Sequence, residues 1–476
     1  LAEIVYANAE GGGKGDVRQI NSWDESGRQV GSLAGIEYLS NLERLAIWGT
    51  SVSSLEPLRD LRKLRELELV EANITDLTPL SEVPTLRVVR VHDNNILSLE
   101  PLQELSELHT LSLSGAGNGE ETNTLPHYRG GFEAIYELQQ LSSLVLYWFD
   151  LSGDDAVEEL LEEMPGLEAL ELGDCNLDRI PTGSRARRLR ELEVSWDPIS
   201  TLPQDTVTFP NLEELRLRGF EIEDGNFAAL ANIDAPRLSQ LELGENVTTI
   251  TSFPELSGYP ALERLVLNGV SDIGGIRGLT GLRELDLGWQ EDPIEDFSPL
   301  SSLVGLEWLA LSRNGFSNDD FAYLAGLDGL NGVSIWDNES ITSLDPLERV
   351  DSLDWFNGGN LNGVVSLDLS TIDHIEDVRI EQSGNEGGGT IETVTGGRGG
   401  SLFAIYVTDQ NISDAEPFAT ITSLERLDLS GNPLSRGVRE LARLRNLELL
   451  VLQDTGVSQE DIDYLREELP GTDILY

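Results

Sequence analysis

A single cysteine, Cys175, occurs among 476 residues. One thiol builds no disulfide framework, and the cysteine-rich end caps common in secreted modules are excluded with it. Cys175 itself reads as a small buried side chain. Lysine is almost as scarce, with only Lys14 and Lys63, while 32 basic residues in all face 85 acidic ones for a net charge of −53. Such a balance repels nucleic acid and anionic membranes and favours cationic partners. So few lysines beside so many carboxylates fit a halophilic protein, since high salt relaxes their repulsion; a plain acidic secreted protein is the alternative. No apolar run approaches the roughly 18 residues that a spanning helix needs, so no membrane insertion is expected.

Signatures of catalysis are missing too. The sequence holds no G-x-S-x-G, H-E-x-x-H, C-x-x-C or G-x-x-x-x-G-K-[ST], and residues 11–15 (GGGKG) lack phosphate-loop spacing. His92, His109, His127 and His374 are scattered and offer no metal constellation. Paired carboxylates such as Asp154-Asp155 and Asp319-Asp320 suit the first turn of a helix better than acid–base work. The expectation is a protein that is not an enzyme, uses no cofactor and binds no nucleic acid.

What is abundant is a period. Residues 86–105 place Leu86, Val89 and Val91 at positions 1, 4 and 6 of an L-x-x-L-x-L-x-x-N-x-I template, with Asn94 at position 9 and Ile96 at 11. Matching starts recur at 17, 42, 64, 86, 108, 141, 167, 189, 212, 238, 262, 282, 306, 330, 353, 375, 402, 424 and 447, about 24 residues apart. Self-similarity at this period marks a leucine-rich-repeat solenoid, an α/β fold in which each unit packs only on its neighbours. Each repeat should give a short strand at positions 3 to 7, and parallel stacking of the strands should form a concave sheet. Positions 4 and 6 then point inward and positions 3, 5 and 7 to solvent. Asparagine at position 9 should bond the backbone of the turn. Short helices and irregular turns are expected on the convex side, with helical spacing over 154–164, 318–327 and 459–469.

Residues 1–41 read as an N-terminal segment and capping repeat, 42–456 as the solenoid and 457–476 as a C-terminal cap, all in one domain. Two insertions break the period. The one at 115–140 begins directly after a concave strand, well placed to reach over that face. The one at 381–400 is glycine-rich with a strand-like centre at 390–394, and should bulge from the convex side.

The returns carry a further signature: Leu55-Glu56-Pro57-Leu58, Leu77-Thr78-Pro79-Leu80 and Leu99-Glu100-Pro101-Leu102 follow one another at 22-residue spacing, after a G-I-E-Y-L lead-in at residues 35–39. Repeats of this form resemble the internalins of bacterial surfaces. The resemblance implies a non-catalytic recognition scaffold at the cell surface or outside the cell, and it names no particular partner. This chain departs from the pattern where the asparagine slot holds Thr50, Ala72, Phe149, Phe220 or Val270.

The eight tryptophans locate the candidate site. Trp23, Trp48 and Trp336 fall at position 7, Trp148, Trp196 and Trp289 at position 8, and Trp308 and Trp355 at position 3, so all lie on or beside the concave face. Tryptophan is enriched where proteins bind. Tyr147, Tyr406 and His92 join them, in two groups: Trp289, Trp308, Trp336 and Trp355 from four consecutive repeats, and Tyr147, Trp148 and Trp196. Packing of the rings on one another is the structural alternative. Carboxylates at position 5 (Glu68, Glu171, Glu193, Glu242, Asp286) and position 8 (Asp93, Asp174, Asp337, Asp409, Asp454) surround them. Rings among carboxylates suit a basic protein surface or peptide through cation–π contact and ion pairing, or a glycan through stacking. A protein-interaction module is therefore expected. The alternatives are a carbohydrate-binding surface protein and a self-associating subunit of a surface layer or filament. The last would be joined through two arginine clusters, Arg185 with Arg187, Arg188 and Arg190, and Arg436 with Arg439, Arg443 and Arg445.

Overall fold

Aliphatic side chains at two alternate positions of a five-residue strand leave the intervening three for solvent, and this pattern repeats along the chain. The computed structural model describes residues 17–21, 31–49, 52–114, 133–152, 156–182, 186–220, 224–244, 250, 253–290, 292–350, 352–372, 374–382, 390–395 and 400–476. Two compact units result, one of Leu1–Ile222 with Asn232–Leu238 and one of Glu223–Ala231 with Ser239–Tyr476.

In the first unit the strands are β1 (Gln19–Asn21), β2 (Arg44–Trp48), β3 (Glu66–Val70), β4 (Val88–His92), β5 (Thr110–Ser114), β6 (Ser143–Tyr147), β7 (Ala169–Gly173), β8 (Glu191–Ser195), β9 (Val207–Thr208), β10 (Glu214–Arg218) and β11 (Ile233–Asp234). β1 to β8 pair in sequence order and β8 with β10, all parallel, while β9 and β11 form a separate pair. Register sets Leu45, Leu67, Val89, Leu111, Leu144, Leu170, Leu192 and Leu215 in one buried column at position 4. The L-x-P-L returns are 3-10 turns, Glu56–Leu58, Thr78–Glu82 and Glu100–Glu104, with proline in the first two positions. There its fixed φ suits the turn and its missing N–H leaves nothing unpaired. Two short helices, α1 (Glu133–Tyr136) and α2 (Ala156–Glu163), replace that turn in wider repeats.

The second unit holds β12 (Gln240–Gly244), β13 (Arg264–Leu267), β14 (Glu284–Asp286), β15 (Trp308–Ala310), β16 (Gly332–Trp336), β17 (Trp355–Gly359), β18 (Ser366–Asp368), β19 (Asp377–Glu381), β20 (Thr393–Thr395), β21 (Ala404–Thr408), β22 (Arg426–Asp428), β23 (Leu449–Val451) and β24 (Asp473–Leu475). They pair in order and in parallel, except that β18 and β20 leave the main sheet to pair with each other. The strand-like centre of the second insertion is thus a short strand beside the return segment of the preceding repeat. Residues 115–132 of the first insertion, and 383–389 and 396–399 of the second, lie outside the described residues.

Helical spacing over 154–164 and 459–469 matches α2 and α3 (Gln459–Glu468), the latter capped by Ser458 Oγ accepting from the Asp461 N–H at 3.2 Å. The spacing over 318–327 does not give an α-helix. It gives one 3-10 turn, Asp320–Tyr323. The tighter turn delivers Phe321 edge-on to Phe316 at 5.1 Å, and Phe316 edge-on to Phe297 at 5.1 Å, so ring packing overrides helical propensity.

Where position 9 is polar, it ties its repeat to the one before. Asn94 donates to Leu69 O at 3.0 Å and accepts from the Ile74 N–H at 2.8 Å. Asn432 does the same with Val407 O at 2.7 Å and the Ile412 N–H at 3.2 Å. Gln290 substitutes for asparagine, donating to Leu267 O at 2.7 Å and accepting from Val270 N–H at 2.6 Å. Cys175, buried and free, fills the slot with a thiol 3.4 Å from Leu146 O. Burial pushes that thiol up to about 12, which keeps it unreactive.

Asp197 occupies the same slot with a carboxyl. Its Oδ1 accepts from the Cys175 and Leu177 N–H groups, both at 2.8 Å, while its Oδ2 is buried with no hydrogen-bond partner. Asparagine would place its donor amide there. Burial, opposed by the backbone N–H groups, raises the Asp197 carboxyl to about 7. A carboxyl raised from about 3.8 unfolded to about 7 folded binds a proton in the native state that the unfolded chain has released, so stability falls as pH rises through that window. Below it the group contributes nothing, and above it the full destabilisation, a few kcal/mol, applies. Asp197→Asn should therefore raise the melting temperature at pH 8 by several degrees and leave it unchanged at pH 3.5. A gain of equal size at both pH values would show that the buried charge is not the cause.

Candidate binding face

At template position 8, past the strand, most of the described repeats turn through one residue with left-handed backbone. In the first unit these are Gly49, Glu71, Asp93, Trp148, Asp174, Trp196 and Gly219; in the second they are Gly269, Trp289, Arg313, Asp337, Asn360, Asp409, Gly431 and Asp454, all with φ between 48° and 74°. The turn is needed because the N–H at this position continues the ladder by one bond, as from Trp148 to Gly173 O at 2.9 Å and from Trp289 to Ser312 O at 2.7 Å, while the next side chain must point inward. Glycine, asparagine and aspartate tolerate this conformation and bulky residues do not. Three of these slots nevertheless carry tryptophan, and the rings stay in water: Trp148, Trp196 and Trp289 are 39%, 51% and 63% exposed.

A second arrangement seats aromatic rings. Tyr147, Trp196, Trp308 and Trp336 each lie over a glycine one repeat later: Gly173, Gly219, Gly332 and Gly359. A Cβ added to Gly359 would stand 2.2 Å from the Trp336 ring, and one on Gly219 2.5 Å from Trp196. Gly173, Gly332 and Gly359 occupy outward-facing positions of their strands yet are buried, because the rings cover them. Ring on glycine compensates for the side chain that the strand lacks.

In the first unit Tyr147 and Trp148 are brought together, ring centroids 6.2 Å apart. The Tyr147 hydroxyl donates to Glu171, and burial with that carboxylate raises its pKa well above the usual range. Trp148 Nε1 donates to Asp174 Oδ2 at 3.1 Å, so Asp174 stands between the Trp148 and Trp196 slots; burial raises its carboxyl. Glu193 is engaged by Arg216 at 3.5 Å and Arg218 at 3.2 Å. His92 is half-buried with Nε2 2.9 Å from Ser112 Oγ, and desolvation lowers its basicity. Trp48 is exposed on β2, apart from this group. Trp23 lies outside the described residues.

In the second unit the four tryptophans do not form one row. Trp308 and Trp355 flank Gly332 at position 3, where an added Cβ would lie 2.9 Å from one ring and 3.4 Å from the other. Trp336 and Trp289 stand at the opposite strand ends. Between them runs position 5: Asp286, Ala310, Ser334, Asn357, Arg379 and Tyr406 in register. Tyr406 is already occupied, for the Arg379 guanidinium stacks 4.7 Å above its ring and pairs with Asp377 at 3.2 Å. Burial raises the Asp286 carboxyl, against the Gly288 N–H that it accepts at 2.8 Å. The seating glycines had escaped notice in the sequence. The signal was there, as a glycine at equal register one repeat after each ring.

Comparison with known proteins agrees with this architecture. The family model described as Leucine Rich Repeat matches residues 423–444. Tubulin-folding cofactor E of Arabidopsis thaliana is 35% identical over 80 residues, which are 16% of this chain and only 15% of that protein. Among solved structures, an internalin of Listeria monocytogenes, InlF, is 24% identical over 72% of this chain and 87% of its own, with a TM-score of 0.45. A leucine-rich-repeat protein of Leptospira interrogans is 19% identical over 100% and 98%, with a TM-score of 0.42. TLR13 in complex with ssRNA13 is 15% identical over 92% and 56%, with a TM-score of 0.53, a likeness of fold. The one-strand-per-repeat parallel sheet has the leucine-rich-repeat fold, which the family model finds at residues 423–444 and TLR13 shares.

Two substitutions separate the two ways of placing a ring. Trp289→Asn relieves a left-handed tryptophan and should raise stability by about 1 kcal/mol. Gly359→Ala forces the Trp336 ring off its seat and should lower it by about 1–3 kcal/mol. Thermal melts followed by circular dichroism check both; a Trp289→Asn protein that melts several degrees lower would mean that the ring is there for packing.

Proposed function

We propose that the chain is a non-catalytic recognition module that binds a protein partner on its concave, acidic, tryptophan-bearing face, at the cell surface or outside the cell. The observation that carries this reading is the occupation of left-handed slots by Trp148, Trp196 and Trp289. Bulky residues held in that conformation cost of order 1–3 kcal/mol each, and Trp289, the most exposed of the three, recovers least of it by packing. Strain kept at an exposed aromatic is accounted for by what the ring touches when a partner is present. The rigid sheet below lets that contact form with little loss of side-chain freedom. A net charge of −53 selects basic surfaces over nucleic acid.

A glycan is the second reading, supported by Trp308 and Trp336 seated against glycine, since seated indoles offer platforms on which sugar rings stack. Assembly through the arginine clusters has less support. Arg190 pairs with Glu213 and Glu168, Arg439 with Glu460 and Asp461, and Arg445 with Glu468, all inside this chain.

Immobilised chain should capture a partner from an extract of the source organism. The double variants Trp308→Ala with Trp336→Ala, and Trp148→Ala with Trp196→Ala, identify the unit used: one of them should weaken capture by about tenfold or more, the equivalent of about 1.4 kcal/mol, with the fold intact. Undiminished capture by both pairs would sink the proposal.

A further inference from the structure

Resting on that reading, we propose that the second unit carries a subsite for an organic cation, the guanidinium or ammonium of a partner's arginine or lysine, on the floor between Trp308 with Trp355 on one side and Trp336 on the other. The floor is formed by Ala310 and Ser334, small residues at position 5 of β15 and β16. Rows 3 and 7 of a strand lie about 13 Å apart, room for an extended side chain laid across. Both walls are preset, because Gly332 and Gly359 hold the indoles in place. Oxygen acceptors stand around this floor. Asp286 leads the row, and among the described residues no arginine or lysine pairs with it; the nearby Arg264 pairs with Glu284 instead. Asn357 Oδ1 is buried and has no hydrogen-bond partner among the described residues. Glu381 follows Gly359 on row 7. The row's own cation, Arg379, is committed to Asp377 and to the Tyr406 ring. Arg313 stands in the left-handed slot past the strand end, outside the floor.

Indole faces beside unfilled oxygen acceptors attract cations more strongly than neutral groups of the same shape and disfavour anions. The chain displays the filled version of this arrangement two strands further on, where the Arg379 guanidinium lies over Tyr406 next to the Asp377 carboxylate. From β14 to β16 ring and carboxylate recur, Asp286 on β14 beside the indoles of β15 and β16, with alanine and serine in place of the arginine.

The test uses the full chain at low ionic strength, titrated with acetyl-Gly-Arg-Gly-amide, its lysine counterpart, its neutral citrulline counterpart and a β-glucan hexasaccharide. Indole N–H resonances, assigned with single Trp→Phe variants, provide the readout. The cationic peptides should shift Trp308, Trp336 and Trp355, with citrulline bound at least about fivefold more weakly, the factor expected of one cation–π contact. Asp286→Asn keeps the acceptor for Gly288 and the fold, and should weaken arginine-peptide binding severalfold, whereas Trp148→Ala in the other unit should not alter it. Citrulline binding as well as arginine, shifts confined to Trp148 and Trp196, or hexasaccharide binding that these three indoles report in place of the peptides would each overturn the subsite. If the peptides leave the indoles unmoved while Trp308→Ala with Trp336→Ala still abolishes capture, the subsite fails and the recognition reading stands. If that pair and the Trp148→Ala with Trp196→Ala pair both capture normally, both readings fall.

Discussion

The turn after a strand is left with backbone donors and acceptors that its own repeat does not pair, and where position 9 of the next repeat is polar, that side chain supplies the partner. Asn94, Asn338, Asn432 and Gln290 each reach back some 20 to 27 residues to carbonyls or N–H groups of the preceding turn. A buried peptide group without such a bond would cost about 1–3 kcal/mol, repeated for each turn, so the fold depends on this one side-chain position more than on any single aliphatic contact. Its demands propagate outward. For the position 9 side chain to aim inward, the residue before it must take the left-handed turn, and that residue is delivered to the rim of the concave face.

The rim is where stability and recognition compete. Aspartate in Asp93, Asp337 or Asp409 suits the left-handed turn and leaves a carboxylate in water. Tryptophan in Trp148, Trp196 or Trp289 suits it poorly and leaves an indole there. Of these, Trp196 regains some packing by covering Gly219, whereas Trp289 is the most exposed of the described tryptophans. Seated rings at positions 3 and 7 follow the other course: they give up part of their surface to a glycine and gain a fixed orientation.

Most of the fold was legible because periodicity is a global signal. Positions 4 and 6, the position 9 amides, the proline returns and the parallel stacking all follow from one template applied along the chain. Where legibility stopped, a second force had entered. The stretch around Phe321 has helical spacing, but three phenylalanines in edge contact select a 3-10 turn. The rows of tryptophan were visible as rows; that Trp308 and Trp355 lean over the same glycine from both sides was not, since lateral lean depends on which neighbouring strand leaves space. Asp197 in an asparagine slot was equally easy to pass over. The template marks the slot as polar, and only the missing donor opposite Oδ2 reveals that a carboxyl fits it badly.

The seated rings also bear on how such a chain can be inherited. Tyr147, Trp196, Trp308 and Trp336 each rest on the repeat that follows them, while the position 9 side chains bind the repeat that precedes. A duplicated or deleted single repeat would therefore strand an indole above an ordinary side chain, or leave a glycine bare. Repeats 306 to 353 can be copied or lost only as a linked set. This part of the array should change by whole blocks over evolutionary time, while repeats without seated rings remain free to be shuffled one at a time.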